Sequence, residues 1–256
     1  MTVLNLNGDM GESFGRYHLG DDAALIAVVK SASIACGFHA GDPDVMARAV
    51  KLAKDHGASI GAHPGFPDLQ GFGRRAMRMR ADEIENMVAY QIGALAGVAA
   101  LHGMRVTHVK PHGALNNIAH EDADCARAIA RAIRAVDREL IFVATACSEM
   151  VKAGDEAGLR VAHEAYADRT YDDAGRLTSR QIAGALITDP AAAVRQVLQC
   201  LDAGGIVTSS GRRIPTRIDT ICAHGDEPSG MAVMSAVRGA LEARGVRIVP
   251  LPEMKL

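Results

Sequence analysis

At 256 residues, 48% hydrophobic and with 26 glycines, the chain is long enough to bury a large core, and a single domain spanning 1–256 is expected. A net charge of −2 with no basic run excludes the electrostatic footprint of a nucleic-acid binder or of a protein held on an anionic membrane surface. No uninterrupted apolar stretch reaches about 18 residues, and the N-terminus enters a strand without a charged leader, so a soluble cytoplasmic protein is expected.

The first apolar segment alternates. Asn5, Asn7 and Asp9 share one parity and Leu4, Leu6 and Gly8 the other, which in a strand puts amides and a carboxylate on one face and aliphatics on the opposite one. Ser33, Ala35, Gly37 and His39 then alternate with Ile34, Cys36 and Phe38. Asp42 with Pro43 opens a helix that ends near His56 and Gly57. Ser59, Gly61 and His63 form a third polar parity, followed by a Gly- and Pro-rich loop, Pro64 to Arg80, that carries Arg74, Arg75, Arg78 and Arg80. A long helix is expected from Ala81 to His102. His108, Lys110 and His112 alternate with Val109 and Pro111, and a helix from Glu121 to Val136 comes next. Glu164, Tyr166 and Asp168 share a parity and run into a charged loop, Ala167 to Arg180. Asp189 with Pro190 opens a helix ending near Gly204; Thr220, Cys222 and His224 form the last strand signal, and a helix from Pro228 to Arg244 closes the series.

Strands alternating with helices imply βα units and a parallel sheet. Strands of an ordinary parallel barrel, buried on both faces, read as continuous apolar runs. Here one face of nearly every segment is small or ionisable, so the expected fold is an α/β, TIM-like (β/α) barrel, distorted and of seven or eight strands, around a wet, charged pocket at the strands' carboxyl ends. Loops as long as 64–80 and 167–180 in such a barrel are usually functional.

The five cysteines, Cys36, Cys125, Cys147, Cys200 and Cys222, lack Cys-x-x-Cys spacing and sit in apolar segments, as reduced, buried thiols do. His56 and His102 each precede a glycine at a helix end and are assigned to structure. His120, next to Glu121, Asp122 and Asp124, is expected near a helix start in solvent. His39, His63, His112 and His224 stand at equivalent strand ends and are the candidate site histidines.

The segments NLNGDMGESFG from Asn5, ACGFHAGDP from Ala35, GAHPGFPDLQGFGRR from Gly61, HVKPHGALNN from His108, YADRTYDDAGRL from Tyr166 and CAHGDEP from Cys222 resemble, in order, the blocks of the LamB/YcsF family. The resemblance implies a barrel related to polysaccharide deacetylases, acting as the A subunit of the bacterial ATP-dependent 5-oxoprolinase with separate B and C subunits. It also implies cleavage of 5-oxoproline to L-glutamate with conversion of ATP to ADP and phosphate. Three positions depart from the family pattern: Asn5 stands where Asp is usual, Ser33 where Asn is usual, and Asn116 where Tyr is usual. Asn5 removes a carboxylate from the pocket floor and leaves Asp9 and Glu12 nearby.

A lactam is a resonance-stabilised amide, so water attacks it only when the carbonyl is activated or its oxygen is made a leaving group. For that chemistry Asp9 is the expected general base, with His39, His63, His112 and His224 as proton carriers or orienting groups. Lys110 is the expected electrostatic anchor, and Arg74 or Arg169 closes over the substrate. Asp168 and Asp226 orient imidazoles, while Asn7 and Glu12 complete the substrate-binding set. The chain has no Gly-x-x-x-x-Gly-Lys-[Ser/Thr] and no Gly-x-Gly-x-x-Gly after a strand, so ATP rests on the resemblance alone. Two alternatives belong to other classes: a metal-dependent amidase or deacetylase using Asp9, His39 and His63 as ligands of a divalent metal, and a non-catalytic substrate-binding subunit.

Overall fold

The computed structural model describes residues 2–222 and 229–256; the expectations placed on His224 and Asp226 lie outside the described residues. Six strands alternate with helices: β1 (Val3–Met10), β2 (Ser31–Ala35), β3 (Ser59–His63), β4 (Val106–Val109), β5 (Ile141–Thr145) and β6 (Arg160–Tyr166). A short antiparallel hairpin follows, β7 (Gly205–Val207) with β8 (Arg213–Pro215), and then β9 (Thr220–Cys222) and β10 (Arg247–Ile248). Strands β1 to β6 pair in sequence order, all parallel. Strand β9 pairs with both β6 and β1, which closes a seven-stranded parallel barrel, and β10 adds to the foot of β1 at Val3↔Arg247.

The helices between them are α1 (Asp22–Val28), α2 (Pro43–Asp55), α3 (Ala81–Leu101), α4 (Gly113–Glu121), α5 (Ala123–Val136), α6 (Glu149–Glu156), α7 (Pro190–Ala203) and α8 (Gly230–Ala243). Their starts follow the expected chemistry. The Asp42 carboxylate accepts from the amides of Asp44 and Val45, and the Asp189 carboxylate from those of Ala191 and Ala192, with proline in the first turn of each helix. The helix expected from Glu121 to Val136 is present as α5, and a helix that was not expected, α4, precedes it. Asp122 accepts from the amides of Asp124 and Cys125 and so starts α5 two residues later, which leaves α4 as a separate helix carrying Asn116 and His120. Helix α3 is long and apolar enough, by length and composition, to cross a membrane. In this fold its Ile84, Met87, Val88, Ile92, Leu95 and Ala99 are buried, and it packs on α5, β3 and β4.

The alternation sorts the strands' side chains into two environments. Leu4, Leu6, Ile34, Ile60, Val109, Phe142, Ala144 and Ile221 join a cluster with Val50, Val88, Ile92, Ile129 and Val237 of the helical layer. Burying each of the larger aliphatics there contributes on the order of 1.5–3 kcal/mol. The other parity faces the lumen, whose apolar part is a small separate cluster of Ile141, Val143, Ala162 and Leu251. Leu251 begins a C-terminal 3-10 turn that stoppers the barrel's foot: its amide donates to Ser31 Oγ (3.1 Å), and Asn5 Nδ2 donates to the Val249 carbonyl (2.7 Å).

Candidate active site

A ladder of buried polar groups climbs the lumen. At the floor the Ser59 and Ser31 hydroxyls meet at 2.8 Å, Asn5 Nδ2 donates to Ser31 Oγ (2.9 Å), and Thr220 Oγ1 donates to Asn5 Oδ1 (2.7 Å). Asn5 thus spends both ends of its amide in the barrel's floor. One step higher, Asn7 Nδ2 donates to Thr220 Oγ1 (2.8 Å) and Glu164 Oε1 (2.9 Å). Lys110 Nζ then reaches Asn7 Oδ1 (3.1 Å), Asp9 Oδ1 (2.8 Å), Glu164 Oε1 (3.0 Å) and Cys222 Sγ (3.0 Å). Burial pulls the Lys110 ammonium down, but the Asp9 and Glu164 carboxylates outweigh it and hold the group well above the ordinary lysine range. The Cys222 thiol is raised as well, by burial, and is neutral beside the ammonium.

The histidines crown this ladder. His63 donates from Nδ1 to the Lys110 carbonyl (2.7 Å), which turns Nε2 toward Asp9 Oδ2 (3.3 Å) and His112 Nδ1 (3.0 Å). His112 donates from Nε2 to the Phe72 carbonyl (2.8 Å). His39 stacks on His112 with centroids 3.6 Å apart, its Nε2 is 3.2 Å from Glu12 Oε1, and its Nδ1 is buried without a partner. Burial first, and then the neighbouring imidazoles, keep His39 and His112 well below the ordinary histidine range, so both rings are neutral near pH 7. The loop expected to be functional makes this packing possible. Phe72 adopts φ 54°, a left-handed conformation unusual for an aromatic residue, and thereby aims its carbonyl at His112. Gly73, at φ 61°, has no room for a side chain, because a Cβ there would lie 2.6 Å from His39 Cβ and 2.9 Å from the His112 ring.

Glu12, His39, His63 and His112 offer ligand atoms that all lie within 4.8 Å of one another. These are residues that could hold a metal ion, and the structure favours the fit in two ways. The carbonyls of Lys110 and Phe72 fix both imidazoles with lone pairs facing inward, as the outer partners of metal-bound histidines do. Among the described residues, the buried carboxylates Asp9, Glu12 and Glu164 also outnumber the one buried cation between them, Lys110. The set differs from the one expected from sequence: Glu12 and His112 join His39 and His63, and Asp9 instead pairs with Lys110.

A cavity of about 610 Å³ opens above the cluster, lined by Asp9, His63, Arg74, Lys110, His112, Tyr166 and Arg169 among others. Of the expected site residues, then, Asp9, Asn7, Glu12, His39, His63, Lys110 and His112 form one connected group; Arg74 and Arg169 lie in the cavity wall, and Asp168 is buried beside Arg169 in the loop that follows β6. His120 is a correction. It lies at the end of α4, not at a helix start, is 8% exposed, and lines the cavity with its basicity lowered by burial. Sequence reasoning also left out Glu164, Tyr166, Asn116 and Thr145. Glu164 and Tyr166 carried a signal in their shared parity; Asn116, which accepts from Thr145 Oγ1 (3.0 Å), became visible only once α4 placed it over the cavity.

Over residues 4–256 the chain matches the LamB/YcsF family. It is 54% identical to the 5-oxoprolinase A subunit of Rhodopseudomonas palustris (strain BisB5), covering 96% of this chain and 98% of that one. Among solved structures it is similar to the lactam utilization protein from Thermus thermophilus, at a TM-score of 0.91 and 43% identity over 98% of this chain and 100% of that one. The catalytic domain of the peptidoglycan N-acetylglucosamine deacetylase from Eubacterium rectale ATCC 33656 shares the fold, at a TM-score of 0.52 and 9% identity over 98% and 88% of the two chains.

Proposed function

Because the chain belongs to the LamB/YcsF family, we propose that it is the A subunit of a 5-oxoprolinase, opening the lactam ring of 5-oxoproline to give L-glutamate. In this reading ATP is converted to ADP and phosphate in an assembly with B and C subunits. The observation that carries it is the end-to-end match to a relative of that name, joined to a barrel mouth where an acid, a lysine and three imidazoles converge. Five free cysteines suit the reducing cytoplasm.

The γ-phosphoryl group of ATP is transferred to the lactam oxygen, releasing ADP. Water adds to the activated carbon, the ring C–N bond breaks as the nitrogen takes a proton, and an acyl phosphate remains; a second water releases phosphate and glutamate. Asp9 takes the proton from the attacking water. Its Oδ1 is anchored by Lys110 and its Oδ2 faces His63, so the carboxylate is oriented and His63 stands next in line for the proton. With no cation between the two rings, His112, 3.0 Å from His63, takes that proton and returns it to the leaving nitrogen. Lys110 stabilises the negative charge that builds on the adduct from below, without leaving its carboxylates.

Glu12, His39, His63 and His112 would hold a divalent cation, which when bound polarises a carbonyl oxygen or acidifies water. The same four residues favour the second reading, a metal-dependent amidase that needs no ATP. One experiment separates the two. The chain is mixed with its candidate B and C partners, 5-oxoproline and ATP, and glutamate and ADP are measured against mixtures lacking each component. Equal amounts of glutamate and ADP only in the complete mixture support the first reading; glutamate without ATP, abolished by a chelator, supports the second.

A further inference from the structure

We propose that Arg169 is the carboxylate receptor of the cavity, a fixed guanidinium that makes the site select a small acid over its neutral counterpart. The inference rests on the barrel mouth being the reaction site, and it names the part of the substrate held away from the reacting bond.

Arg169 is 6% exposed and shares the cavity wall with His63, Lys110, His112 and Tyr166. Its Nη2 donates to the Thr178 carbonyl, but Nε is buried and has no hydrogen-bond partner. No carboxylate among the described residues lies within ion-pair distance of it. A buried cation with an unmet donor is an incomplete site, because buried polar groups are paired as a rule and a guanidinium presents a planar fork that two oxygens of a carboxylate match. Burial first, and Arg180 second, pull Arg169 below the ordinary arginine range against the opposing pull of Asp168, so an added negative charge is welcome there.

Two other cations of the wall are spent elsewhere. Lys110 is committed to Asp9 and Glu164, and Arg176 to Asp172 and Glu121. The Arg169 backbone is also pinned. Its carbonyl accepts from Gln196 Nε2 (2.5 Å), which also donates to the Tyr166 carbonyl (3.1 Å), and a β-bridge ties it to Leu186. The fork is therefore preorganised, the condition under which a bidentate contact discriminates best.

The test is calorimetric titration of the full chain with 5-oxoproline and with 2-pyrrolidinone, the same lactam without its carboxylate. Wild type is expected to bind the acid at least tenfold tighter than the neutral lactam. Arg169→Met is expected to bind both equally weakly, and Arg169→Lys, which keeps the charge without the fork, to fall between. If the methionine variant does not fold, the lysine variant carries the test, with weakened acid binding and unchanged lactam binding expected. A folded variant that keeps the wild-type preference, or a wild type without preference, overturns the inference. Tight binding of inorganic phosphate that Arg169→Met removes while 5-oxoproline binding is unaffected overturns it too. Glutamate release by the complete assembly, measured in parallel, keeps this result apart from the proposed function: failure of release by the wild-type assembly removes that function while an Arg169-dependent acid preference stands.

Discussion

His63 Nε2 and His112 Nδ1 face each other across 3.0 Å, each turned inward because its other ring nitrogen donates to a main-chain carbonyl, that of Lys110 for the first and of Phe72 for the second. Nitrogens so oriented, when neither carries a proton, face lone pair to lone pair, an arrangement that a proton or a cation between them relieves. With Glu12 and His39 alongside, the four residues could hold a divalent cation. Titration with Zn²⁺ or Mn²⁺ should show one ion per chain, with a rise in thermal midpoint that corresponds to about 2.7 kcal/mol at a hundredfold excess over Kd. His63→Gln and His112→Gln should abolish both effects and His120→Gln neither; unchanged binding in the first two would place the ion elsewhere.

Lys110 sits between Asp9 and Glu164, all three buried. Removing the cation leaves two buried carboxylates without their partner, so Lys110→Met should lower stability by about 3–5 kcal/mol. Adding Glu164→Gln should recover part of that loss, since one of the stranded charges goes with it. Urea unfolding of the two variants checks this; a double variant less stable than the single one would refute the charge argument.

Gly61 is the place where the His108 ring lies flat on the neighbouring strand. A Cβ there would stand 2.1 Å from His108 Cδ2 and 2.4 Å from its Nε2. Gly61→Ala should therefore cost about 1–3 kcal/mol by overpacking. The cost should shrink when His108→Ala is also present, because the clash has one partner. Additive losses in a double-mutant cycle would contradict the contact.

His108 also makes stability depend on pH. Buried in the lumen, and repelled next by Lys110, it is pushed down to about 3 from an ordinary 6.5. The unfolded chain takes up this proton below pH 6.5 and the folded chain does not, so the stability is fully present above 6.5 and is lost as pH falls toward 3. Its share of the slope is at most about 1.4 kcal/mol per pH unit. His39 and His112 act in the same direction. Comparing wild type with His108→Gln in denaturant titrations from pH 7 to 5 isolates the residue: a shallower slope in the variant is expected, and an equal one would show that His108 titrates normally in the folded chain.

The polar parities of β1, β3 and β4 were legible because the lumen is lined with polar groups: a strand with one charged face and one aliphatic face announces both its period and its orientation. Strand β5 was not legible for the opposite reason. Its Ile141 and Val143 face the apolar foot of the lumen and its Phe142 and Ala144 the helices, so both parities are hydrophobic and no polar residue marks its end before Thr145. The stopper at Leu251 was invisible because it closes the barrel through contacts more than 200 residues apart in sequence, Asn5 with Val249 and Ser31 with Leu251. The same distance hid the role of Asn5. As a missing carboxylate it looked like a loss to the chemistry, whereas its amide ties the barrel's floor to the chain's last turn.

In the proposed function Asp9 is the acid–base centre of a reaction at the barrel mouth. The measurement that bears on it most directly is glutamate formation from 5-oxoproline and ATP by the complete assembly carrying Asp9→Asn in this chain. A positioned base is worth roughly 10²–10⁴-fold in rate, so a loss of that size is expected while the variant still folds and still joins its partners. Turnover at the wild-type rate would contradict the account and move the chemistry to another residue or another subunit.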